Sequence, residues 1–112
     1  MRVYSELEVV ARVAGLTRRR LRRWCQLGLV VPAMRDPAGA PLFAEIDVAR
    51  VALIRELVED LGVNETGVEI ILDLLDQLHV LRAHTARLVE ALGALDPALR
   101  RRVASLLAER VG

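Results

Sequence analysis

Arg18, Arg19, Arg20, Arg22 and Arg23 crowd five guanidinium groups into one short stretch, interrupted only by Leu21. A guanidinium presents a planar fork of donors that pairs bidentately with phosphate or with the edge of guanine, so arginine at this density is chemistry for gripping or reading nucleic acid. The competing account is a solvated helix face whose stems lie along the protein while the charges stay in water. A second charged set follows downstream. Glu65, Glu69, Asp73 and Asp76 are spaced four, four and three apart, which stacks them along one side of a helix, with Glu56, Glu59 and Asp60 just before them. Like charges at that spacing repel, and a basic partner surface would relieve them; otherwise the stripe only solubilises.

No other constellation suggests reaction chemistry. There is no Gly-rich phosphate loop, no Ser or Cys matched by a His and an acid, and no carboxylate pair in an evident pocket, so neither an enzyme nor a cofactor is expected. Cys25 is the single cysteine and can form no internal disulfide. His79 and His84 lie five apart, which turns them away from a common helix face, and no metal site is expected. No small-molecule site is evident. No apolar run is long enough to span a bilayer, and the chain turns polar at once with Arg2, Ser5 and Glu6, so a soluble cytoplasmic protein is expected.

The elements that must position these side chains are legible from composition and punctuation. A chain of 112 residues is one domain, or a small domain with an oligomerisation element. Hydrophobic residues make up 54% but aromatics only 3%, so Leu, Val, Ile and Ala must build the core, which favours helices. The formal net charge is +1 and all 16 basic residues are arginine, so any attraction to nucleic acid must come from local clustering.

Ser5-Glu6-Leu7-Glu8 has the form of a capping box and opens a first helix, with Leu7, Val10 and Val13 expected on its inner side and a close near Gly15. Thr17 caps the second helix, which carries the arginines, and Gly28 supplies its left-handed stop. Within it Leu21 is expected in the core and Trp24 in packing. Two short helices across a Gly-containing turn form a helix-turn-helix, whose second helix reads a DNA groove. Leu29 to Met34 is extended in character, Arg35 to Ala40 is turn-rich and Pro41-Leu42-Phe43 returns, which predicts a small β-hairpin wing. Ile46, Ala49, Leu53, Ile54, Leu57, Val58 and Leu61 predict a third helix from Glu45, stopped by Gly62.

Asn64 caps a fourth helix with no breaker until Gly93. Along it Ile71, Leu74, Leu78, Leu81, Thr85, Leu88, Leu92 and Leu95 follow the heptad seam of a coiled coil, while Val68, Leu72 and Leu75 can fold onto the third helix. That is more apolar surface than a small monomer covers, and it predicts a homodimer through Ile71, Leu74, Leu78, Leu81, Leu88 and Leu92. The alternative is that the last segment, opened by Asp96-Pro97, folds back and covers the seam with Leu99, Val103, Leu106 and Leu107. The expected divisions are a core at 1–66, the long helix with its seam at 67–93, and a C-terminal helix at 94–112.

Thr17, Arg19, Leu21, Arg22, Trp24, Gly28, Leu29 and Pro32 stand in the order of a known signature, and from about Tyr4 to Leu81 the chain resembles the MerR superfamily. The resemblance implies a mainly all-α, MerR-like winged helix-turn-helix with a small β-hairpin wing and a long C-terminal dimerisation helix. Asp60 to Val68, continuing through Leu72 to Asp76, is most similar to the CbpM chaperone modulators, which bind the J-domain of a DnaJ-like co-chaperone and restrain its stimulation of Hsp70. On that resemblance Glu65, Glu69, Asp73 and Asp76 are expected to face a basic J-domain helix, an assignment inferred from charge and not carried over from the family. The HspR repressors, which bind double-stranded DNA, are similar over the same segment and put Arg18, Arg19, Arg20, Arg22 and Arg23 against DNA instead. After Gly39 the wing continues Ala40-Pro41-Leu42-Phe43, without the Arg and Tyr usual in a DNA-binding MerR wing.

Overall fold

The computed structural model describes residues Met1–Val111. Its elements in order are β1 (Val3–Ser5), α1 (Glu6–Arg12), α2 (Arg18–Gln26), β2 (Met34–Arg35), β3 (Pro41–Ala44), α3 (Glu45–Arg55) continued by a wider π turn (Glu56–Asp60), α4 (Glu65–Gly93) and α5 (Pro97–Val111). The mainly helical class with a small antiparallel sheet is as expected. The chain divides into two compact units, Met1–Leu72 and the remainder from Asp73. No helix among the described residues is long and apolar enough to cross a membrane.

The punctuation read from the sequence operates locally. Ser5 accepts from the Glu8 backbone N–H at 3.2 Å and Glu8 Oε1 accepts from the Ser5 N–H at 3.1 Å, a reciprocal box that starts α1. Asn64 Oδ1 accepts from the Gly67 N–H at 2.8 Å and opens α4. Asp96 Oδ1 accepts from the Ala98 and Leu99 N–H groups at 3.1 and 3.0 Å and opens α5.

The sheet corrects the hairpin expectation. Its order is β1-β3-β2, with Tyr4 opposite Phe43 and Met34 opposite Leu42, so the wing hairpin carries a third strand from the N-terminal residues. β1 is three residues long, too short to carry an alternation signal. Of the stretch Leu29 to Met34 only Met34 joins the ladder; Leu29 and Val30 are buried as core instead.

Helix rotation is the second correction. Val9 of α1 and Val13 at its C-terminal cap are buried, while Leu7 is 63% exposed. In α3 and its continuation Val48, Val51, Ile54 and Leu57 are buried, whereas Ile46, Ala49 and Leu61 face water. Both segments are apolar on more than one side, so periodicity alone does not choose a face; the sheet does. Tyr4 leads into α1 and Ala44 into α3, with the Asp47 carboxylate accepting from the Ala44 N–H at 2.8 Å. Phe43, Leu21, Ile54, Val9, Val30, Val51 and Val68 are the largest fully buried side chains of the first unit, each contributing about 1.5–3 kcal/mol of transfer free energy.

Val68 and Leu72 of α4 are buried within the first unit, which therefore runs past the 1–66 bounds expected for the core. Beyond them the seam is open. Leu74, Leu78, Leu81 and Leu88 are exposed and Leu92 half-buried, as is Ile71 just before Leu72, and the α5 residues Leu99, Leu106 and Leu107 are themselves exposed. Val103, the fourth residue of the fold-back alternative, is half-buried, as are Leu92 and Leu95, but Leu74, Leu78, Leu81 and Leu88 stay uncovered within the chain.

Candidate nucleic-acid interface

Both ends of α2 are fixed by chemistry near its own sequence. Thr17 Oγ1 accepts from the Arg20 N–H at 3.2 Å. At the other end Gly28 takes φ +75°, its N–H reaches Cys25 O at 3.1 Å and the Leu29 N–H reaches Trp24 O at 3.0 Å, a Schellman closure. Arg50 Nε on α3 donates to Leu29 O at 2.7 Å and holds the outgoing chain. Leu21 and Trp24 are buried, as expected, which turns Arg18, Arg19, Arg22 and Arg23 outward and leaves Arg20 half-buried. Arg18, Arg19, Arg22, Arg23 and Gln26 together line an open hollow on this surface.

The arginines are not equivalent. Arg18 Nε and Arg22 Nε both donate to Glu6 Oε1 on α1, the latter at 2.8 Å. Arg20 Nη1 pairs with Glu59. Arg23 donates through Nε and Nη2 to the two oxygens of Glu65, at 3.3 and 3.2 Å. Arg19 makes no side-chain hydrogen bond or ion pair among the described residues. The Arg20–Glu59 and Arg23–Glu65 pairs are exposed enough that each adds little stability, about 0–1 kcal/mol, and their consequence is orientation.

Glu6 was not foreseen as a site residue. It lies 12 and 16 positions from its arginine partners, beyond any helical spacing rule, and its acidic first-turn position signalled only a helix start.

The wing is closed on itself. Asp36 Oδ1 accepts from the Ala38 and Ala40 N–H groups, both at 2.9 Å, and Arg35 Nη1 donates to Gly39 O at 2.9 Å. Beyond the turn Ala40 is exposed, Pro41 and Leu42 are half-buried and Phe43 fully buried, so the strand after Gly39 serves the core and offers no cation. Between α2 and the wing a cleft of about 160 Å³, lined in part by Glu6, Leu21, Cys25 and Phe43, falls below the several hundred Å³ of small-molecule sites. Burial, and then Glu6, push the Cys25 thiol above its ordinary 9.0, against the smaller opposing effect of Arg35.

The acidic set lies at the surface of α4 and is partly paired within the chain. Glu65, Glu69, Asp73 and Asp76 are all exposed, but Glu65 is spent on Arg23 and Asp73 accepts from Gln77 Nε2 at 3.1 Å. Glu59 and Asp60 are likewise engaged, with Arg20 and with Arg55 at 3.0 Å. The expected unrelieved repulsion is thus partly answered inside the chain, by Arg20 and Arg23 brought from far along the sequence and by Arg55 and Gln77 close by. His79 and His84 are exposed on α4, and no group of three or more His, Cys, Asp or Glu side chains among the described residues could hold a metal.

An arginine-bearing second helix on a capped helix-turn-helix beside a small wing is the framework of a helix-turn-helix regulator. Residues 6–75 match the MerR HTH family regulatory protein model, and the chain belongs to that family. It is 32% identical over 100 residues to a Streptomyces coelicolor protein described as "Putative heat shock protein HspR", an overlap of 89% of this chain and 66% of that protein's length. Among solved structures it is similar in fold to HiNmlR, a MerR family regulator lacking the sensor domain, bound to promoter DNA. That likeness has a TM-score of 0.59 and 15% identity, covering 92% of this chain and 80% of the other. None of these relatives is described as a chaperone modulator, so the more specific CbpM resemblance and its J-domain partner find no support in them.

Proposed function

We propose that the chain is a DNA-binding transcription regulator of the MerR type, related to HspR and acting as a homodimer. The observation that carries this reading is the outward face of α2, where among the described residues Arg19 is unpaired and Arg18 and Arg22 keep their terminal nitrogens free, on a domain of the matched family. The heat-shock connection is supported by the HspR-named relative, of which this chain spans 66%. Dimerisation is supported by the exposed leucines of α4, which offer a second copy a ready apolar seam. Two copies would present their α2 helices to half-sites about one helical turn apart, or a multiple of it.

The test is duplex binding across a salt series. Each arginine–phosphate contact contributes about 0.9 to the slope of log affinity against log salt. Arg19→Ala with Arg22→Ala should weaken binding and flatten that slope relative to the wild type. A wild-type protein that shifts no duplex at low salt refutes the proposal.

A further inference from the structure

We infer that Glu6 is a positioning residue for the DNA contacts of α2: it holds Arg18 and Arg22 so that only their terminal forks are offered to the duplex. The inference rests on the DNA-binding reading above and assigns discrimination within that interface to a carboxylate outside the recognition helix.

Which nitrogens are used separates Glu6 from the other acids that meet α2. Glu65 accepts from Nε and Nη2 of Arg23, and Glu59 lies in ion-pair contact with Nη1 of Arg20, so in both of those guanidiniums a terminal nitrogen faces a carboxylate. Glu6 takes only Nε, from two arginines at once and through a single oxygen. The Nη1–Nη2 pair of Arg18 and of Arg22 is left without an intramolecular acceptor among the described residues, and that pair is a bidentate edge for phosphate or guanine.

Exposure points the same way. The Glu6 side chain is 13% exposed, whereas Arg18 and Arg22 are 52% and 57% exposed, so the carboxylate sits behind the guanidiniums and not in front of them. Arg18 and Arg22 are four residues apart, one helical turn, and a shared anchor fixes their forks relative to each other before DNA arrives. Preorganised donors lose less rotamer freedom on binding a duplex that fits them. The half-buried negative charge also subtracts from the pull on any phosphate. Glu6 therefore lowers affinity for arbitrary DNA while favouring sequences whose groove geometry meets both forks.

The experiment measures binding to two probes across a salt series. One is a random-sequence duplex of about 30 bp, long enough for two half-sites. The other is the duplex enriched from a randomised pool by the wild-type protein. Glu6→Gln should bind the random duplex several-fold more tightly, with a steeper salt slope, and should lose several-fold in the enriched-to-random affinity ratio. With Arg18→Ala and Arg22→Ala already present, Glu6→Gln should no longer move that ratio. Glu6→Asp keeps the charge but is too short to serve both arginines; its ratio should fall while its slope stays near the wild type, and it carries the test if Glu6→Gln fails to fold. An unchanged ratio in both single variants, or an equal drop without the two arginines, overturns the inference while DNA binding stands. A wild type that binds neither probe overturns both.

Discussion

The Tyr4 hydroxyl donates to Glu45 Oε2 at 2.5 Å, latching the first strand to the first turn of α3 across 41 positions of sequence. The guanidiniums of Arg12 and Arg2 stack over the same ring, 4.3 and 4.9 Å from its centroid. Since β1 runs directly into α1, this contact also fixes how the helix bearing Glu6 enters the domain.

That latch makes stability fall in alkali. The Glu45 hydrogen bond, then burial, raise the Tyr4 phenol above its ordinary 10.0, outweighing Arg12 and Arg2, which act in the opposite direction. The folded state holds the proton more tightly than the unfolded chain, so the contribution is complete below pH 10.0 and is lost as pH rises through the folded value. Thermal midpoints measured through that range should drop for the wild type, and the drop should be smaller for Tyr4→Phe. An identical alkaline profile for the variant would assign the loss to other groups.

The two ends of α2 should each respond to a single substitution. Thr17→Ala removes the acceptor for the Arg20 N–H and should cost about 1 kcal/mol in urea denaturation. Gly28→Ala meets no atom within 4 Å, so its cost should be that of backbone alone at φ +75°, about 1–2 kcal/mol. Midpoints unchanged in both variants would mean that packing of Leu21 and Trp24, and not capping, sets the helix bounds.

Leu81 and Leu88 are 60% and 65% exposed in the single chain, and burying each against a second copy is worth about 1.5–3 kcal/mol. Replacing both with Lys should convert a dimer to a monomer in sedimentation while leaving the unfolding of the first unit unchanged. A wild type that sediments as a single chain at every concentration counts against the seam.

Cys25 should alkylate slowly. Its thiol is half-buried and raised above 9.0, so little thiolate exists at neutral pH in the folded chain. Iodoacetamide labelling should accelerate on unfolding in urea, and in the native chain should rise only at alkaline pH. Rapid native labelling at neutral pH would show that the cleft beside the wing opens readily.

What could be read along the chain was whatever acts over a turn or less. The Ser5–Glu8 box, Thr17, Gly28, Asn64 and Asp96 each satisfy or close a helix end with groups a few residues away, so residue types at short spacing determined where most helices begin and end. The same locality placed the five arginines together on one helix. Tertiary structure decided which faces of α1 and α3 are buried, because both are apolar on several sides and only the three-stranded sheet fixes their rotation. It also decided what each arginine does. Glu6, Glu59 and Glu65 lie 12 to 42 residues from Arg18, Arg22, Arg20 and Arg23, and an ion pair over such separations exists only after the core has brought the helices side by side.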